Sequence, residues 1–303
     1  MRNVVLHGPG EAIEVPNIAV GCMRINELDD AGRRAFVDRA LESGLTFFDH
    51  ADIYGGARHV CEELFGAVGV EREAVQLQTK TGIRPGFYDS SYEHIVRSVE
   101  ESLVALRTDY VDVLLIHRPD VLADADEIER AFEDLYAAGK VRAFGVSNHN
   151  ARQMRSLASK WVAANQVQFS LAHPALVAAH LTVNMLSTEL SPSRDAGLLE
   201  AAREDGVVLQ AYSPYMDTKR WRTFMGDREN WGKLNEVIER LAGEYGVAPE
   251  AIPAAWILRV GGTQVVTGTT KGERLARIAA ASEVDLSREH FYELYRAAGH
   301  VLP

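Results

Sequence analysis

The chain has 303 residues, 47% of them apolar and 25% charged, and its 32 Lys and Arg against 43 Asp and Glu leave a formal charge of −11. That composition is average for a globular protein and excludes a disordered, collagenous or disulfide-stapled chain. The acidic balance argues against a surface that wraps nucleic acid or lies on an anionic membrane. The two cysteines, Cys22 and Cys61, form neither a CxxC pair nor a metal-type cluster, which fits a reducing compartment. No run approaches the roughly 20 apolar residues of a membrane helix, and Met1 to Glu14 lacks the charged start and apolar core of a signal peptide. A cytoplasmic protein with no membrane or nucleic-acid partner is expected.

Short apolar runs rich in β-branched or aromatic residues predict eight strands, in chain order Ile18 to Val20, Thr46 to Asp49, Val75 to Lys80, Val111 to His117, Ala143 to Asn148, Asn165 to Phe169, Val207 to Tyr212 and Gln264 to Thr267. Helical patterns lie between them at 29–43, 58–66, 93–107, 127–138, 150–160, 196–205, 231–245 and 271–282, many opened by Ser, Asp or Asn as a cap. Near-continuous apolar strands alternating with helices indicate a parallel sheet covered on its outside. Eight such repeats predict a closed (β/α)8 TIM barrel, one domain over 1–303, with further helices at 249–259 and 287–299. The long connections 82–92, 170–195 and 213–230 follow the third, sixth and seventh strands, so they belong over the carboxyl face.

Three neighbouring strands end on polar residues: Phe47-Phe48-Asp49, Leu77-Gln78-Thr79-Lys80 and Leu114-Leu115-Ile116-His117. Side chains alternate across a strand, so Asp49 shares a face with Phe47, Lys80 with Gln78 and Gln76, and His117 with Leu115. With those faces inward, and strands roughly 4.8 Å apart, Lys80 stands between Asp49 and His117, within ion-pair reach of the carboxylate. Tyr54 follows on the next turn. A phenol beside an ammonium is suited to donate a proton to a carbonyl oxygen, because the cation favours the phenolate and lowers the phenol's value. Asp49 would hold Lys80 charged, and His117 would aim the carbonyl.

Four blocks carry a family resemblance: Phe48-Asp49-His50-Ala51-Asp52-Ile53-Tyr54-Gly55; Thr79-Lys80; Leu114-Leu115-Ile116-His117-Arg118-Pro119-Asp120; and Gly139-Lys140-Val141-Arg142-Ala143-Phe144-Gly145-Val146-Ser147-Asn148. In this order they resemble the aldo-keto reductases over essentially the whole chain, and within that family the bacterial reductases of the YdhF type. The resemblance implies hydride transfer from a reduced nicotinamide to an aldehyde or ketone, with Tyr54 as general acid, Lys80 and Asp49 tuning it and His117 orienting the carbonyl. It also implies that Ser147, Asn148 and Gln166 hold the carboxamide of the nicotinamide and that Tyr212 stacks on its ring, with Ser213 and Met23 beside the cofactor.

No GxGxxG follows a strand, so a doubly wound dinucleotide domain is not expected. The run Gly268-Thr269-Thr270-Lys271-Gly272-Glu273-Arg274 instead opens a helix with hydroxyls and two cations, an arrangement suited to an anion. By resemblance Thr269, Lys271 and Arg274 contact a 2′-phosphate, which favours NADP(H). Many family members carry Lys where this chain has Gly268, so NAD(H) stays open.

Other residues read more plainly. Gln76 and Gln78 place amides inside a barrel whose interior is usually branched aliphatic, as a hydrogen-bonded layer with no evident function. His50 and Asp52 alternate like metal ligands but have no further His or acid to complete a site, and no metal is expected. His149 and His173 read as loop residues, while Met23, Phe87, Tyr88 and Trp221 are candidates to line a substrate pocket. A cofactor-binding redox-sensing subunit with little turnover is the alternative from another class. A metal-dependent hydrolase is disfavoured because Val20 to Arg24 contains no His-x-His. Substrate, reaction direction and the choice between monomer and small homo-oligomer are not legible.

Overall fold

The computed structural model of the chain describes residues 1–157, 161–181 and 197–302. An antiparallel hairpin comes first, β1 (Asn3–Leu6) with β2 (Ile13–Pro16). Eight strands then form a closed barrel: β3 (Ile18–Gly21), β4 (Phe47–Asp49), β5 (Gln76–Thr81), β6 (Val111–Ile116), β7 (Val141–Ser147), β8 (Val162–Gln168), β9 (Val208–Tyr212) and β10 (Thr263–Thr267). They follow one another round the barrel in chain order, every pairing parallel, with β10 closing onto β3. All eight predicted strands are present. Around them run α1 (Asp30–Glu42), α2 (Val60–Gly66), α3 (Tyr92–Leu106), α4 (Ala125–Ala137), α5 (Ala151–Ser156), α6 (Ala175–Leu181), α7 (Leu198–Asp205), α8 (Arg228–Tyr245), α9 (Ala251–Leu258), α10 (Gly272–Ala279) and α11 (Arg288–Ala297).

Six of the helices, α1, α3, α4, α5, α8 and α11, start where short polar side chains accept otherwise unpaired amides. Asp29 takes Gly32 N at 2.7 Å, Asp227 takes Asn230 N at 3.1 Å, and Asn150 forms a reciprocal capping box with Gln153. The predicted helix 150–160 ends earlier, at Ser156, and its residues 158–160 lie outside the described residues, as does residue 196 of the predicted helix 196–205.

The hairpin β1–β2 was not expected, since its runs are only four residues each, each carrying one polar residue, around Gly8-Pro9-Gly10. Inside the 170–195 connection the structure places α6, and residues 182–195 of that connection lie outside the described residues. The 82–92 and 213–230 connections each fold into a two-residue antiparallel ladder, Ile83–Arg84 with Phe87–Tyr88 and Met216–Asp217 with Arg222–Thr223. All of these are too short to leave a periodic signal.

Strand alternation divides the core in two. Phe48, Leu77, Leu114, Phe144, Leu209 and Val265 pack outward against the helices, whereas Ala19, Phe47, Val113, Leu115, Ala143, Ala164, Val208 and Val266 fill the barrel interior together with Leu6 and Val15 of the hairpin. The hairpin therefore plugs the amino end of the barrel with apolar side chains and leaves polar residues to the carboxyl end. Gly145 permits the closest strand approach: a Cβ there would lie 2.4 Å from Ala164 O and 2.7 Å from Leu115 Cδ2, overlaps that a close-packed interior cannot absorb. Among the described residues no helix is long and apolar enough to cross a membrane.

Candidate active site

Register sets the site. Asp49 pairs with Gln78 across β4 and β5, and Lys80, two residues further on the same face, pairs with Leu115 of β6, directly below His117. Lys80 Nζ has three protons and three partners: the Asp49 carboxylate at 2.7 Å, His50 O at 2.7 Å and Tyr54 Oη at 3.1 Å. Because Tyr54 Oη accepts from Lys80, the phenol's own proton is left to donate elsewhere. The Tyr54 and His117 rings meet edge to face with centroids 6.0 Å apart. The three residues predicted at the strand ends and Tyr54 of the following turn are thus brought together.

The turn that presents Tyr54 is built from its neighbours. Lys80 O accepts Asp52 N at 3.0 Å and Tyr54 O accepts Cys61 N at 3.2 Å. Gly55, at φ 98°, supplies a backbone conformation that a side chain would resist. Asp52 faces away from the barrel, accepting from Ser98 Oγ of α3 at 3.1 Å and from Thr81 Oγ1 at 3.4 Å. His50 also points outward, its ring 4.7 Å from that of Phe65. Among the described residues, no group of three or more His, Cys, Asp or Glu stands close enough to hold a metal ion.

Electrostatics follow from burial and from this ion pair. Burial disfavours the Lys80 ammonium, but the Asp49 carboxylate and Tyr54 outweigh it and hold lysine's value above its ordinary one. For Tyr54 the expected direction is corrected. Burial raises the phenol's value, Lys80 lowers it by less, and the net shift is upward. Burial, with help from the Lys80 and Arg118 cations, pushes His117 well below its usual range, so its imidazole is neutral at pH 7, and its buried Nδ1 has no hydrogen-bond partner among the described residues.

A second group lines the carboxyl end of β7, β8 and β9. Ser147 Oγ donates to Gln166 O at 2.9 Å, Asn148 Nδ2 donates to Ser147 Oγ at 2.8 Å, and Tyr212 Oη donates to Asn148 Oδ1 at 3.0 Å. Asn148 and Ser213 both adopt left-handed backbone, at φ 59° and 53°, a conformation that is uncommon outside glycine and often found at functional sites. Gln166 Nε2 turns inward to Asp49 Oδ1 at 3.0 Å and Gln210 Oε1 at 3.1 Å.

The remaining predicted residues stand apart from these two groups. Thr269 is buried after β10, where its Oγ1 accepts Lys271 N at 3.2 Å, and α10 begins at Gly272 with no side-chain cap. The exposed Arg274 guanidinium lies 4.0 Å from Glu250, whereas Arg277 binds Glu250 at 2.9 Å. Met23 is half exposed on the turn after β3, its carbonyl accepting from Cys61 Sγ at 3.4 Å. Phe87 and Tyr88 are exposed on the first small ladder and Trp221 beside the second. Sequence reasoning missed Gln210 and Gln264, although each interrupts an apolar strand with an amide, the cue that had drawn attention to Gln78.

The fold and site define a barrel with an acid–base array at its carboxyl end. The model of the aldo/keto reductase family matches residues 17–298. The chain belongs to that family and is an oxidoreductase. It is 34% identical to a 6-dehydroglucose reductase of Agrobacterium fabrum, over 95% of this chain and 96% of the relative, and 31% identical to the oxidoreductase YdhF of Escherichia coli, over 96% of each. A solved aldo-keto reductase of Klebsiella pneumoniae in complex with NADPH superposes with a TM-score of 0.77 at 27% identity, covering 98% of this chain and 95% of that one.

Proposed function

We propose that the protein is an NADPH-dependent reductase that converts an aldehyde or ketone to the alcohol, with residues 1–303 acting as one reductase unit. The observation that carries this reading is Lys80 Nζ satisfied by Asp49, His50 O and Tyr54 Oη, which orients the phenol to donate.

The residues present fit a nicotinamide dinucleotide. Gln166 lies in register with Ser147 across β7 and β8 at the barrel mouth, and Asn148 and Ser213 beside it adopt left-handed backbone, so Ser147, Asn148 and Gln166 would hold the carboxamide, with Tyr212, Ser213 and Met23 alongside. Thr269, Lys271 and Arg274 would hold the 2′-phosphate, since Lys271 is exposed, with no carboxylate partner among the described residues, at the uncapped start of α10. When bound, the cofactor supplies a hydride.

The chain's own residues do the rest. Neutral His117 donates an N–H to the substrate oxygen and fixes its direction. Tyr54 gives its proton to that oxygen as negative charge develops there, and the Lys80 ammonium at 3.1 Å steadies the phenolate left behind. Asp49 keeps the ammonium charged in a buried setting where it would otherwise be costly.

The test is to titrate purified protein with NADPH and NADH by intrinsic fluorescence, then to add an aldehyde panel that includes 6-dehydroglucose while following absorbance of the reduced nicotinamide. Tight NADPH binding with consumption supports the reading. Binding without consumption by any member favours a redox-sensing subunit, and binding of neither cofactor overturns both.

A further inference from the structure

Below the Asp49–Lys80 pair the barrel holds a layer of amides of which the proposed chemistry uses only Gln166. Gln78, Gln166, Gln210 and Gln264 are all buried, three of them in register across β8, β9 and β10, and the fourth paired with Asp49 across β4 and β5. Gln78 Nε2 donates to Asp49 Oδ1 and, at 2.9 Å, to Gln210 Oε1; Gln210 Nε2 returns a bond to Gln78 Oε1 at 2.9 Å and gives another to Gln264 Oε1 at 2.9 Å. Gln264 Nε2 ends the series on Pro16 O at 2.6 Å. None of these amides contains a buried atom without a partner.

The network has a fixed sense. An ionised carboxylate only accepts, so Gln78 and Gln166 must turn their NH2 groups to Asp49. Gln78 Oε1 must then accept from Gln210, whose NH2 serves both Gln78 and Gln264 while its oxygen takes the second protons of Gln78 and Gln166. Asp49 Oδ1 therefore receives two amide donors from below, and its carboxylate faces Lys80 above. Burying four amides where branched aliphatic side chains usually pack is costly unless every bond is made, and a fully satisfied network is rigid.

We propose that Gln78, held in place by Gln210, is a positioning residue that fixes the Asp49 carboxylate beneath Lys80 and thereby keeps the ammonium against Tyr54. The inference rests on the proposed reductase reading. Gln78 touches neither substrate nor cofactor and acts only through Asp49.

The experiment compares Gln78→Met, Gln210→Met, Tyr54→Phe and Asn235→Leu with the unaltered protein, using NADPH and an aldehyde it consumes. Asn235 is a buried amide that binds Phe224 O and Trp231 O at 2.9 Å, outside the barrel, and its variant controls for general loss of packing. Gln78→Met is expected to lower kcat about ten-fold with KM and NADPH affinity within about two-fold. It should also move the basic limb of the kcat profile to higher pH, because a less firmly held ammonium favours the phenolate less. Gln210→Met, which leaves the carboxylate's own contacts in place, is expected to shift both in the same direction by a smaller factor and stands in should Gln78→Met not fold. Asn235→Leu is expected to lower thermal stability with an unchanged profile. If both glutamine variants keep the original kcat and basic limb, or differ from it no more than Asn235→Leu, the inference is overturned while a dead Tyr54→Phe leaves the reductase reading intact. Turnover in Tyr54→Phe overturns both.

Discussion

Lys80 Nζ stands 3.1 Å from Tyr54 Oη after giving its other two protons to Asp49 and His50 O, so the lysine has no freedom to serve any group but the phenol. Lys80→Met removes that cation and leaves Asp49 buried without its charge partner. Loss of one partner of a buried pair costs about 3–5 kcal/mol, and the phenol loses the nearer and stronger of the two cations, Lys80 and Arg118, that pull its value down. The expected outcome is a lower melting temperature together with a fall in kcat of about a hundred-fold or more, measured by calorimetry and steady-state kinetics. Unchanged stability would contradict the burial of the pair.

The acidic side of the pH profile tests His117. Burial, Lys80 and Arg118 hold its imidazole well below the ordinary histidine range, so protonation of His117 contributes no step between about pH 6 and 8, where an unperturbed histidine would titrate. A kcat/KM profile that is flat across this window is expected. A protonation step near an ordinary histidine's value that disappears in His117→Gln would show the ring is not desolvated.

Cofactor choice reads on α10. Arg274 lies 4.0 Å from Glu250 while Arg277 takes the closer contact at 2.9 Å, which leaves the Arg274 guanidinium available to an added phosphate. Arg274→Ala is expected to weaken NADPH by about ten-fold or more and NADH by far less, as read by fluorescence titration. Equal losses for both would remove the 2′-phosphate assignment.

Much of this was legible because it depends on short-range patterns. Eight apolar runs at barrel spacing gave the strands, and alternation alone put Asp49, Lys80 and His117 on the inner face. The hairpin β1–β2 was not legible, since its four-residue runs take their stability from covering Ala19, Phe47 and Val208 at the barrel floor, a long-range relationship. The upward shift of Tyr54 was missed for a related reason: sequence shows the neighbouring cation but not the burial that outweighs it. The partnership of Gln78 with Gln210 spans 132 positions and needs a closed barrel to exist.

Asp52 gives a pH dependence of stability. Burial raises its carboxyl from 3.8 to about 6, opposed by Ser98 Oγ and Arg58, with Glu62 adding to the rise, His59 lowering it, and Thr81 and His94 nearby. The folded state therefore binds this proton more tightly than the unfolded state. Its contribution is fully present below about pH 4 and is lost as pH rises through about 6. Asp52→Asn removes that dependence, so the stability of the variant relative to the unaltered protein is expected to rise between pH 4 and pH 7 by on the order of 2–3 kcal/mol. Urea unfolding at both pH values measures it, and a constant difference would place the carboxyl in a better solvated setting.

The most direct measurement is single-turnover oxidation of NADPH by Tyr54→Phe beside the unaltered protein, with binding measured on the same samples. Removal of one hydroxyl that donates the proton should leave NADPH affinity within about two-fold and lower the rate of nicotinamide oxidation by about a thousand-fold or more. A rate near that of the unaltered protein, with NADPH still bound, would contradict the assignment of Tyr54 as the acid.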